Sequence, residues 1–127
     1  MAGLDSYTKL LLHCDGVDAS TSFPDAMVRH TQTANANAQV DTAQKKFGTG
    51  SAIFDGTNDI VLSDADSDDF YFGTGDFTID FWIRFATDTN SMVFVGQKED
   101  ANNYWQLGKN TAATNRDYNV TGCSSVF

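Results

Sequence analysis

The stretch from Phe77 to Phe85 constrains this chain more than any other feature: Phe77, Ile79, Phe81, Ile83 and Phe85 alternate without a break with Thr78, Asp80, Trp82 and Arg84. Successive side chains of an extended chain point to opposite faces, so the apolar set occupies one side and a mixed aromatic and charged set the other. The alternation predicts a long strand with its odd-numbered face buried, each large side chain contributing about 1.5–3 kcal/mol before chain entropy is subtracted. On that reading Phe81→Ala costs about 3–5 kcal/mol.

No window carries the three-and-four spacing of an amphipathic helix. Shorter strands are expected over 9–14, 51–54, 59–62, 92–95, 103–107 and 118–121, each bounded by Gly, Asn or Asp. Asp55-Gly56-Thr57-Asn58 lies between two of them and predicts a hairpin turn. Residues 26–43, with Thr33-Ala34-Asn35-Ala36-Asn37-Ala38, lack an apolar pattern and read as a long loop with at most a short edge strand. Phe-Gly-Thr-Gly occurs at 47–50 and again at 72–75, each time before a strand. Neither copy continues to a third Gly, a Lys-Ser/Thr pair or a helix, so the motif reads as a tight turn under a buried Phe rather than a phosphate loop. Many short strands without helices define an all-β fold class, with two antiparallel sheets packed as a β-sandwich.

At 127 residues the length suits a single domain over 1–127 and leaves no room for a two-domain enzyme. The formal net charge of −9 repels a phosphate backbone or an anionic leaflet, so neither nucleic acid nor membrane is an expected partner. Ten Phe and 41% hydrophobic residues are too many for a disordered acidic chain. The run Leu10-Leu11-Leu12 is too short for a signal peptide or a spanning helix, which argues against classical export. Cys14 and Cys123 lie near opposite ends. A bridge between them would contribute about 4–5 kcal/mol in the chain-entropy picture, but free, partly buried thiols are the preferred reading. The sequon Asn119-Val120-Thr121 carries no weight without export.

Three segments share an order and spacing with a known family: Leu10-Leu11-Leu12-His13-Cys14-Asp15-Gly16; Phe47-Gly48 leading to Ala52-Ile53-Phe54-Asp55-Gly56; and Phe70-x-Phe72-Gly73-Thr74-Gly75-Asp76-Phe77-Thr78-Ile79-Asp80-Phe81-Trp82. Together, over residues 7–86, they resemble the laminin-G-like jelly-roll branch of the concanavalin A-like lectin/glucanase superfamily. The resemblance implies a sugar-binding or adhesive β-sandwich of the kind found in bacteriophage structural proteins, on the virion surface at capsid or tail, or alternatively on secreted, extracellular proteins. Cys14 stands where similar modules often carry an aromatic residue. Family members usually continue for several more strands, so a sandwich incomplete at one edge is expected, with neighbouring protein subunits, a second copy or another virion protein, completing it.

Trp82 and Arg84 share the face opposite the apolar stripe, with Asp80 beside them, and a ring flanked by polar groups is what pyranose recognition needs. Trp82, Arg84 and Asp80 are therefore the candidate carbohydrate-binding residues, with Tyr104 and Trp105 as further contributors on opposite faces of their own strand. The alternative for Trp82 is ordinary packing. Between Lys46 and Arg84 there are eight Asp and no basic residue, and Asp64-x-Asp66-x-Asp68 opens like a calcium loop, making Asp64, Asp66, Asp68 and Asp69 candidate calcium ligands. The loop lacks the Gly and Glu that would complete an EF-hand, and its alternative is a solvated acidic turn or one helical turn capped by Ser63. Catalysis is not expected: glucanases of this superfamily resemble one another in a Glu-x-Asp-x-x-Glu strand, whereas the only Glu here is Glu99. His13 and His30 have no zinc spacing. The sequence reads as a non-enzymatic surface or adhesion module with a cell-surface glycan as ligand, or else as a purely structural decoration or assembly protein.

Overall fold

The computed structural model describes residues 5–63, 67–86, 91–98, 100–102, 104–110 and 117–122. Strand outweighs helix, and the one helical element among the described residues is a 3-10 turn at Asp68–Phe70. The chain divides into two compact units, Met1–Ser67 and Asp68–Phe127.

In the first unit, β1 (Thr33–Asn35) pairs with β4 (Ile60–Leu62), and β2 (Gln39–Asp41) with β3 (Ser51–Ile53), all antiparallel. These nested pairs are two ladders of one interrupted hairpin, whose tip is the loop 42–50. Asp55-Gly56-Thr57-Asn58 is therefore not a hairpin tip but part of the interruption, bulging from one limb opposite residues 36–38 of the other. The stretch read as a long loop supplies two strands instead. Cross-strand pairing decided this, since Thr, Asn and Gln accept an extended conformation once a neighbour satisfies their backbone. The expected strand over 9–14 reduces to a single bridge, Leu12 to Asp25.

The core of this unit is small: Phe23, Ala38 and Val40, the last only 1% exposed. Val40 is held on both sides, since besides its β3 partner Ala52 it exchanges backbone hydrogen bonds with 19–20, donating to Ser20 O at 2.7 Å and accepting from Ala19 N at 2.9 Å. On the second limb of the hairpin Ile53, Phe54, Ile60 and Leu62 are all exposed.

In the second unit β5 (Met92–Lys98), β6 (Tyr104–Asn110) and β7 (Asp117–Gly122) form an antiparallel meander in the order β5-β6-β7. The register of β5 shifts between Val93 and Val95, which makes Phe94 a bulge residue. All three strands are longer than the sequence pattern suggested.

The segment 77–85 departs most from expectation: it lies in no strand. Its odd face is also only partly covered, with Phe77, Phe81 and Ile83 exposed, Phe81 at 41%. Alternation specifies which side chains share a face but not which neighbour accepts the backbone hydrogen bonds, and a strand requires both.

Candidate functional site

Aromatic contacts position the segment 77–85 within its own unit. In the second Phe-Gly-Thr-Gly copy the turn closes with Gly75 N donating to Phe72 O at 3.0 Å and Gly73 at φ 55°, and the Phe72 ring stacks on Phe77 at 4.0 Å and 8°. Further along, Phe81 and Phe85 each lie 5.8 Å from the bulged Phe94 ring, and Lys109 Nζ sits 5.6 Å from the Phe85 centroid in a cation–π contact. Odd-numbered rings thus anchor the segment on Phe72 and Phe94. The even-numbered Asp80, Trp82 and Arg84 are all exposed, Trp82 at 70%. An indole face, a carboxylate and a guanidinium together offer a stacking surface, an acceptor and a fork of donors.

The other candidate carbohydrate residues sit differently. Tyr104 is half-buried at the start of β6. Trp105 is 7% exposed; its indole N–H donates to Phe70 O at 3.3 Å and Gln97 Oε1 at 3.2 Å, and its ring lies 4.9 Å from Phe72. Trp105 is a core residue of this unit, its indole packed against Phe72 and out of reach of a surface ligand. Of the candidate calcium ligands, Asp64 and Asp66 lie outside the described residues, as do Glu99 and Cys123. Asp68 is exposed and Asp69 half-buried in the 3-10 turn, where Tyr71 N donates to Asp68 O at 3.2 Å. Among the described residues no group of three or more His, Cys, Asp or Glu is placed to hold a metal ion.

The sequence reading missed four carboxylates that organise the first unit. Asp25, 6% exposed, accepts from Leu11 N and Met27 N on Oδ1 at 3.0 and 2.9 Å, and from Arg29 N and His30 N on Oδ2 at 3.0 and 3.2 Å. Burial pushes its carboxyl up, but the four N–H donors outweigh burial and hold it below the ordinary carboxylate value. Asp15 ties the first family-like segment to the first Phe-Gly-Thr-Gly copy: Oδ1 accepts from Thr49 N at 2.5 Å, Gly50 N at 3.3 Å and Thr49 Oγ1 at 3.2 Å. The Thr49 N–H is the main reason the Asp15 carboxyl is held low. Phe47, expected to be buried over this turn, is exposed. At the hairpin interruption Asp59 accepts from Asn37 N at 2.8 Å and from Asp55 N, while Asp55 accepts from Asn37 Nδ2 and Thr57 N, both at 2.7 Å. Asn37 Nδ2 is the first cause of the lowered Asp55 carboxyl. The Asp-Gly pairs 15–16 and 55–56 mark two of these as turn residues, while nothing local singles out Asp25 or Asp59. Cys14 is a free thiol at φ 56°, and burial pushes its pKa up.

Compared with known proteins, the chain matches no family model, no curated protein and no solved structure. No helix among the described residues is long and apolar enough to cross a membrane.

Proposed function

We propose that this chain is a non-enzymatic surface or adhesion module of the two-sheet jelly-roll type that binds carbohydrate through Trp82, with Asp80 and Arg84 reading hydroxyls. The observation that carries the reading is the 70% exposure of Trp82 between two exposed, oppositely charged neighbours on a segment anchored from its other side. A large aromatic left in water costs hydrophobic free energy that a sugar's C–H face recovers on binding. The jelly-roll form draws on the resemblance of residues 7–86 and on antiparallel pairing throughout the described strands. A place on a phage capsid or tail draws on the resemblance alone. The test is a glycan array with the full chain and Trp82→Ala: the wild type retains a defined glycan class, and the variant loses it while its circular dichroism is unchanged. Equal signals from the two proteins, or none from either, overturn the reading.

A second reading, a structural decoration or assembly protein without a sugar ligand, is favoured by four exposed apolar side chains on one limb of the hairpin, Ile53, Phe54, Ile60 and Leu62. Apolar side chains left in water mark a surface that another protein can cover.

A further inference from the structure

The segment 77–85 is extended in pattern, lies in no strand and exposes Phe77, Phe81 and Ile83. Its order of side chains is complementary to itself. When two antiparallel copies of 77–85 are set about a twofold axis at Trp82, residues opposite one another share a face, and each pair matches in chemistry. Asp80 meets Arg84 of the second copy and Arg84 meets its Asp80; Phe81 meets Ile83, Ile79 meets Phe85, and the two Trp82 side chains lie side by side. Moving the axis by one residue, to Phe81 or Ile83, sets Asp80 against Trp82 or Ala86 and removes both ion pairs. Centring it between two residues puts the apolar face of one copy against the polar face of the other.

We propose that two copies of this chain associate by antiparallel pairing of 77–85 about Trp82. Such a contact is isologous, so it closes as a dimer. Asp80 and Arg84, both exposed in the single chain, act as register keys. Like charges opposed at those positions would reject the pairing. The inference goes beyond the sugar reading and does not depend on it, because it is argued from the order of side chains along 77–85 alone.

Sedimentation equilibrium of the full chain over a wide concentration range tests it. The wild type is expected to dimerise, Arg84→Asp to raise the dissociation constant about tenfold or more by setting a carboxylate against Asp80 of the second copy on both sides of the axis, and the double variant Asp80→Arg/Arg84→Asp to restore it. Trp82→Cys, made with Cys14→Ser and Cys123→Ser, is expected to give a disulfide-linked dimer on mild oxidation, which locates the axis even if a charge variant folds poorly. A wild type that stays monomeric, a series of higher oligomers, a double variant as weak as the single one, or a Trp82→Cys protein that does not cross-link each overturns the proposal. Glycan binding by a strict monomer would leave the sugar reading standing and sink this one.

Discussion

Asp25 accepts from four backbone N–H groups, and its removal leaves them without that acceptor. Asp25→Asn keeps one carbonyl oxygen but turns an NH2 toward two of those donors, so we expect a loss of about 2–3 kcal/mol in urea unfolding followed by far-ultraviolet circular dichroism. Gly48 sits at φ 63°, and a Cβ there would collide with the Asp15 carboxylate. Gly48→Ala therefore meets both backbone strain of about 1–3 kcal/mol and the loss of the Asp15 clamp. The same unfolding measurement should show a loss at least as large as that strain. In the second unit Trp105→Phe keeps the packing under Phe72 but removes the indole N–H shared by the Phe70 carbonyl and Gln97, a cost of about 1–3 kcal/mol. The remaining tryptophan, Trp82, reports that transition by fluorescence. None of these roles follows from residue type. An Asp before a Gly looks the same whether its carboxylate meets water or a ring of backbone N–H groups.

Among the elements, β3 and β4 were legible because their apolar residues stand between clear turn residues, and the meander of β5 to β7 because Val, Phe, Tyr and Trp recur there. β1 and β2 were not, since Thr33–Asn35 and Gln39–Asp41 contain little that is apolar, and only their partners make them strands. The segment 77–85 shows the converse, a clear pattern without a ladder. Its partial exposure alters the expected cost of a core deletion. Phe81→Ala should cost about 1–2 kcal/mol, well below the ~3–5 kcal/mol of a fully buried Phe, because part of its ring is already in water and the rest leans on Phe94. A chemical-denaturation midpoint followed by tryptophan fluorescence separates the two values. Val40→Ala, at a position 1% exposed, should cost about 1.5–3 kcal/mol and exceed it.

At the scale of the whole molecule, charge dominates. A net charge of −9 repels itself, so raising ionic strength from about 0.01 M to about 0.15 M, which shortens the screening length from ~30 to ~8 Å, should raise the thermal midpoint. Acid acts the other way. Asp15, Asp25 and Asp55 all have folded-state pKa values below the ordinary one, so the unfolded chain binds their protons first. The stability they contribute is fully present above the unfolded value of about 4 and is lost as pH falls through it toward the lower folded values. Urea midpoints should thus be level from neutrality to about pH 5 and fall below about pH 4. The sequence by itself determined the all-β character, the placement of most strands and the acidity, because these follow from side-chain period and charge, which are local. Only the tertiary structure decided that Trp105 is core, that Asp15, Asp25 and Asp55 are clamps, that residues 33–62 form an interrupted hairpin, and that 77–85 lies in no strand. Each of those depends on which distant backbone group arrives to share a hydrogen bond or cover a ring, and no local pattern carries that information.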